Sequence, residues 1–147
     1  LKVSDIDRAL AFYRDILGFD VMQQMGDQAA FISAGGYHHH FGLNTWESRG
    51  GSPPPAGTTG LYHVAIRYPD RAQLGDAFRR LVEASWPIDG ATDHGVSEAI
   101  YLRDPDGNGI ELYRDRPEDE WPRAADGTGV AMVNAPLDLQ ALLEEAP

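Results

Sequence analysis

Leu1-Lys2-Val3-Ser4-Asp5, followed by Arg8-Ala9-Leu10-Ala11-Phe12-Tyr13-Arg14 and Leu17-Gly18-Phe19, is written a second time further along this chain. The second copy reads Ile66-Arg67-Tyr68-Pro69-Asp70, then Leu74-Gly75-Asp76-Ala77-Phe78-Arg79-Arg80 and Leu81-Val82. Superimposing the two lays Asp5 on Asp70, Tyr13 on Phe78 and Arg14 on Arg79. Such a repeat marks one supersecondary unit used twice, with the copies packed together. Paired copies place related strands across a cleft, which suits ligands and metals. The second copy opens on Leu61-Tyr62-His63-Val64-Ala65-Ile66, so a histidine precedes Ile66. Its counterpart in the first copy falls just before Leu1. The sequence is therefore expected to begin inside a strand, with a functional residue among those ahead of it.

Outward from the repeat, each copy reads β-α-β-β-β. In the first, Ser4-Asp5 is a helix N-cap and Ile6 to Leu17 has helical spacing, with Leu10, Tyr13, Ile16 and Leu17 as its buried stripe. Gly18 suits the position that ends the helix. Strands are expected at Asp20–Gln24, Gln28–Ser33 and Tyr37–Thr45, with turns at Gly26-Asp27 and Gly35-Gly36. In the second copy, Leu61–Tyr68 reads as a strand and Pro69-Asp70 caps a helix from Arg71 to Ala84. Trp86-Pro87-Ile88 is short and extended, and Ser97–Arg103 is a strand. Asp104-Pro105-Asp106-Gly107-Asn108-Gly109 is a tight turn into a last strand, Ile110–Tyr113. The expected organisation is a first module over 1–49, a Gly/Pro-rich linker over 50–60, a second module over 61–114, and a tail over 115–147. The tail carries one helix, Leu137 to Glu145, and is expected to wrap the body, anchored by Trp121. The fold class is α+β, two βαβββ modules forming a curved mixed sheet around a cleft.

Composition narrows the function classes. The 147 residues suit one compact domain or two small modules sharing a core. A net charge of -11 argues against nucleic acid and anionic membrane as partners. The absence of cysteine excludes disulfides, thiolate metal sites and cysteine nucleophiles. No run approaches the roughly 20 apolar residues of a membrane span, and no signal peptide is visible. A cytoplasmic protein is expected.

Several polar groups stand where strands would carry apolar ones. In Ile110-Glu111-Leu112, alternation sends both aliphatics to one face and Glu111 to the other. The same reasoning separates Val64 and Ile66 from His63 and Ala65. A histidine and a glutamate facing one cleft supply two ligands for a divalent metal, and a third completes a facial triad with open positions. On its own, a strand histidine is more often a hydrogen-bonded core residue. The repeat and the shared face raise the metal reading. His38-His39-His40 opens the strand that continues as Phe41-Gly42-Leu43-Asn44. Alternation groups His39 with Phe41 and Leu43, and His38 with His40, without saying which group faces the cleft. His94 lies in the loop before the strand holding Tyr101. A histidine there covers a substrate as acid or base, and the tyrosine hydroxyl binds an oxyanion. Solvation of the one and packing of the other are the plainer readings. No GxGxxG, P-loop or Ser-His-Asp spacing is present.

Taken together, the doubled plan, Val3-Ser4-Asp5 to Phe12-Tyr13, and Asp104-Pro105-Asp106-Gly107-Asn108 before Ile110-Glu111-Leu112 resemble the vicinal oxygen chelate superfamily. That group holds glyoxalase I, bleomycin resistance proteins, fosfomycin-resistance enzymes and extradiol dioxygenases. Tyr37-His38-His39-His40 with Gly42-Leu43-Asn44-Thr45-Trp46 is similar to the bacterial catechol 2,3-dioxygenase branch. So are Asp93-His94-Gly95-Val96-Ser97-Glu98-Ala99-Ile100-Tyr101 and the tail from Arg116 through Trp121 to Leu137-Asp138-Leu139. The resemblance implies an oxidoreductase with Fe(II), or Mn(II), held by two histidines and one glutamate. His63 matches the second histidine and Glu111 the glutamate, while the first histidine matches a position just before Leu1. It further implies acid–base and oxygen-contacting roles for His39, His94 and Tyr101. Substrate contacts fall on His38, His40, Phe41 and Trp46, with Phe12 and Phe31 also available as apolar wall. The partners implied are a small aromatic substrate and O₂; a homodimer is compatible with this, although the doubled module already builds one cleft within a chain.

Dioxygenases of that branch usually carry four copies of the module, and this chain has two. Two other functions share the fold: glyoxalase-type isomerisation, for which Zn(II) or Ni(II) would be the expected metal, and metal-free binding of an aromatic or drug-like ligand. A glyoxalase-type reaction calls for a second glutamate in the first copy at the place matching Glu111, and the histidine run lies near there instead.

Overall fold

The computed structural model describes residues 1–147. Two compact units divide the chain: residues 1–60 with 104–108, and residues 61–103 with 109–147. No helix is long and apolar enough to cross a membrane.

In the first unit, the opening residues act as a strand. Val3 N–H donates to the Asn44 carbonyl at 2.9 Å and Asn44 N–H to the Leu1 carbonyl at 3.0 Å, with Lys2 bridging Asn44 in parallel. Helix α1 (Ile6–Tyr13) starts at Asp5, whose carboxylate accepts the Arg8 N–H at 2.7 Å. Regular helix stops four residues short of the expected Leu17. Beyond Tyr13 the turns widen to five-residue spacing, with Asp15 N–H on Leu10 O and Leu17 N–H on Phe12 O. The widened turn still buries Leu17, and the chain leaves at Gly18, φ +85°. Strands β1 (Asp20–Met25), β2 (Ala29–Ser33) and β3 (Phe41–Asn44) form an antiparallel sheet in that order. Ile6, Leu10, Tyr13, Ile32 and Leu43 fill the core under α1. Phe12, considered for a ligand wall, belongs to this core at 1% exposure. The turn 104–108 also belongs to this unit: the Tyr13 hydroxyl donates to Asp104 Oδ2 at 2.7 Å, and Asp104 accepts the N–H groups of Asp106 and Asn108.

The third strand corrects the expectation of Tyr37–Thr45. Gly35 and Gly36 both take positive φ (+76° and +79°), turning the chain twice before it can extend. The His38-His39-His40 triplet therefore lies in the loop, and its first ladder bond is the His40 N–H to the Ile32 carbonyl at 2.8 Å. Alternation does not extend back into a loop, so the grouping of His39 with Phe41 and Leu43 fails.

The second unit repeats the plan with one addition. β4 (Val64–Arg67) pairs in parallel with β7 (Gly109–Asp115), as Leu1–Val3 pairs with β3. α2 (Arg71–Glu83) is capped by Asp70, which accepts the Gln73 N–H at 2.8 Å. β5 (Ile88–Asp93) and β6 (Ser97–Arg103) complete the antiparallel part, in the order β4-β7-β6-β5-β8. The first hairpin of each unit carries a register shift at the same place, Val21/Gln23 and Ile88/Gly90. β5 runs well past the expected Trp86–Ile88. Its Asp-Gly-Ala-Thr-Asp stretch has poor strand propensity, and pairing on both sides decides it. One of those partners is β8 (Ala135–Pro136) in the tail, where proline is tolerated because it caps a sheet edge. α3 (Leu139–Glu144) buries Leu142, whose carbonyl lies over Gly75 of α2. Trp121 donates its indole N–H to the Arg116 carbonyl at 2.8 Å, closing the start of the tail.

Candidate functional site

On β7, Ile110 and Leu112 are buried against the helix side, so the intervening Glu111 stands on the opposite face. Its cross-strand partner on β6 is Tyr101, and on the other side β4 places Ala65 opposite it. His63, just ahead of β4, reaches the same carboxylate: Nε2 lies 2.8 Å from Glu111 Oε2. The approach depends on Gly109. A Cβ there would overlap the Tyr62 carbonyl oxygen and lie 3.1 Å from both Cα and Cβ of His63. The Tyr101 hydroxyl is 3.2 Å from Glu111 Oε1 and 2.8 Å from His94 Nε2. His94 Nδ1 in turn meets the Val133 carbonyl at 3.0 Å. The second unit thus strings His63, Glu111, Tyr101 and His94 into one hydrogen-bonded row. Burial, then the Glu111 charge, pushes the Tyr101 phenol up to about 12.

The row fits a cation at one end. Two donors each about 2.1 Å from one ion, at a right angle, stand about 3 Å apart, and His63 Nε2 and Glu111 Oε2 are 2.8 Å apart. His63 Nδ1 is buried with no partner, so Glu111 is all that the ring bonds to. An imidazole nitrogen and a carboxylate suit Fe, Mn or Zn among divalent ions. No third His, Asp or Glu converges on them within residues 1–147.

The remaining sequence candidates lie in the first unit. His39 packs edge-to-face on Phe31, ring centroids 5.2 Å apart, and its Nδ1 is 2.9 Å from Nδ1 of His38. Met22, Gln23, Phe31, His38 and His39 line an open cavity of about 410 Å³. His40 is turned away, its Nδ1 accepting the Ala34 N–H at 3.2 Å beside the Ser33 hydroxyl. Phe41 corrects its expected place in a ligand wall. It is half-buried and packs on Tyr13 and Phe19, on the helix side of the sheet. Trp46 follows β3 at 62% exposure, outside that cavity lining.

Register relates the two units residue by residue. Phe31 pairs with Gly42 in β2–β3 as Tyr101 pairs with Glu111 in β6–β7. Where the second unit has a phenol and a carboxylate, the first has a phenyl ring and a glycine. A Cβ on Gly42 would touch the Phe31 ring at 3.4 Å, so the ring covers the vacated place. Sequence reasoning missed Gly42, Gly109 and Val133. A glycine beginning an otherwise regular strand was the available signal for Gly109, and nothing local marks Val133.

The profile of the Glyoxalase/Bleomycin resistance protein/Dioxygenase superfamily matches residues 1–112. Catechol-2,3-dioxygenase of Bacillus subtilis (strain 168) is 44% identical over 146 residues, covering 99% of this chain and 50% of that protein. Biphenyl-2,3-diol 1,2-dioxygenase 3 of Rhodococcus globerulus is 31% identical over 118 residues, covering 78% of this chain and 60% of that protein. The chain thus spans half of the first relative's length and three-fifths of the second's. The solved structure of lactoylglutathione lyase from Agrobacterium tumefaciens shares the fold, with a TM-score of 0.60 at 24% identity over 78% of this chain and 88% of that one. With a profile match over most of its length, on a doubled β-α-β-β-β framework, the chain belongs to the Glyoxalase/Bleomycin resistance protein/Dioxygenase superfamily.

Proposed function

We propose that the chain takes part in extradiol cleavage of a catechol-type aromatic by O₂, with His63 and Glu111 as two of the metal's protein ligands. The observation that carries this reading is the row His63–Glu111–Tyr101–His94, in which a cation-binding pair adjoins a proton-transfer pair. His63 and Glu111 would hold a divalent iron, which when bound would supply redox coupling between the catechol and O₂. Glu111 balances positive charge. Tyr101 presents a hydroxyl to a substrate oxygen. His94 stands behind Tyr101 and exchanges the proton with it. By the family resemblance His39 is assigned a second proton-transfer role, and within its own unit it lines a cavity with Phe31 and His38.

The Gly42 position bears on the rival reading. Glyoxalase-type isomerisation, in which a glutamate moves the proton, lacks that glutamate where the first unit would supply it. The test is metal content by plasma mass spectrometry, with catechol turnover under O₂, on wild type and Glu111→Gln. About one Fe or Mn per chain in wild type, lost together with turnover in the variant, is expected. Zn or Ni at that ratio without ring cleavage would favour the isomerase, and no metal after Fe(II) reconstitution would favour a ligand-binding protein. A variant that keeps its metal removes Glu111 from the ligands.

A further inference from the structure

We infer that the strap of the C-terminal tail, residues 131–137, positions His94, its Val133 carbonyl holding the imidazole in the Nδ1-protonated form. The inference rests on the reading of His94 as a proton-transfer group. His94 directly follows β5, and the strap runs antiparallel beside it. Leu137 N–H donates to the Ala91 carbonyl at 3.4 Å, Thr92 and Asp93 pair with Pro136 and Ala135, and Val133 N–H donates to the His94 carbonyl at 3.0 Å. Val133 then turns its own carbonyl to His94 Nδ1, also at 3.0 Å. Its side chain is 47% exposed and the neighbouring Met132 is 59% exposed. Core burial therefore does not explain where this segment lies. Both backbone polar groups of Val133 are committed to His94.

The consequence is a fixed tautomer. A carbonyl has no proton to give, so Nδ1 carries one, and the Nε2 of a neutral ring is left as an acceptor. An unconstrained histidine prefers the opposite arrangement. Nε2 faces the Tyr101 hydroxyl at 2.8 Å, while Glu111 Oε1 competes for the same single proton from 3.2 Å. With Nε2 free to accept, Tyr101 can direct its proton to His94 and leave the Glu111 oxygens to other donors.

The clamp has a second side. Gly95 takes φ +76°, and a Cβ there would lie 2.9 Å from Pro122 Cγ and 3.4 Å from Val133 Cγ2. Asp93 accepts the Gly95 N–H at 2.8 Å and is itself held by Arg116 at 2.6 Å. Ala131 N–H donates to the Pro122 carbonyl at 2.8 Å, closing the strap over the loop. A side chain at position 95 would wedge the strap off.

The test reads the tautomer directly, by imidazole ¹⁵N shifts of histidine-labelled, metal-free full chain at about pH 8, above the ordinary histidine range. His94 is assigned through His94→Gln. Wild type is expected to show a protonated Nδ1 and a bare Nε2 at His94. Val133→Pro removes the N–H that pairs with the His94 carbonyl while keeping its own carbonyl. It should move the ratio toward Nε2–H by roughly tenfold, about what one hydrogen bond sustains. Gly95→Ala should do the same from the other side, and serves if the proline variant does not fold. A proton on Nε2 in wild type overturns the inference, as does a folded clamp variant with an unchanged tautomer. Failure of catechol turnover would sink the functional reading and leave the tautomer result standing.

Discussion

One hydroxyl proton with two acceptors makes Tyr101 the residue on which the site turns. Tyr101→Phe removes that proton while leaving His63 and Glu111 in contact. Turnover is expected to fall by about 10²–10³, the usual effect of deleting one positioned donor, with metal content unchanged. Metal loss in this variant would mean that the hydroxyl supports the ligands and has no separate part in proton transfer. Asp93 supplies a second prediction. The Arg116 hydrogen bond holds its carboxyl below the ordinary aspartate range, with burial opposing and the Gly95 N–H assisting. A depressed folded pKa contributes stability above the unfolded value of about 3.9, and that stability disappears as pH falls through the folded value. Asp93→Asn should therefore cost about 1–3 kcal/mol at neutral pH and almost nothing in strong acid. Denaturant melts at the two pH values check it, and a pH-independent cost would show that lost packing, not charge, is responsible. Glu111 was legible in sequence because alternation with the buried Ile110 and Leu112 fixes its face, whereas His63 lies just ahead of β4 and its approach depends on Gly109. Val133 was not, because its part is played by a carbonyl that every residue owns.

Elements decide how closely those residues approach. β7 begins at a glycine because the chain at Tyr62 and His63 lies against it, and a methyl group would enter the Tyr62 carbonyl. Gly109→Ala is expected to push His63 from Glu111, lowering metal affinity at least tenfold while most of the melting temperature survives. A metal titration set beside a thermal melt separates the two, and an unchanged affinity would show that the 61–63 segment adjusts freely. The helices were readable from Asp5 and Asp70, whose side chains cap them just as acidic N-caps should. The repeat made the β-α-β-β-β succession of elements along the chain readable as well. What escaped was set by partners distant in sequence. Ile88–Asp93 becomes a strand because β6 and β8 flank it, and the histidine triplet leaves its strand because two glycines of positive φ precede it. Local propensity carries neither fact.

Across the whole molecule, one architecture is built twice with different side chains on one face. Both units keep the parallel outer strand, the capped helix and the shifted first hairpin. They differ on the face opposite the helix, where Tyr101 and Glu111 in one correspond to Phe31 and Gly42 in the other. A carboxylate and a phenol bind cations and protons. A phenyl ring packed on His39 offers an apolar face and one titratable edge. Substitutions should therefore divide by unit. His39→Ala and Phe31→Ala are expected to keep metal at the wild-type level. The first should lower turnover by about 10²–10⁴, the usual reach of one general acid–base group. The second should chiefly raise KM for an aromatic substrate, since it removes apolar contact that ground and transition states share. Glu111→Gln should do the reverse and abolish metal binding. Metal content and steady-state kinetics on the three variants give the answer. If His38→Ala or His40→Ala lowers turnover while His39→Ala does not, proton transfer belongs elsewhere in the triplet. If His39→Ala loses metal, the division of labour between the two units is wrong, because the triplet would then be holding the ion.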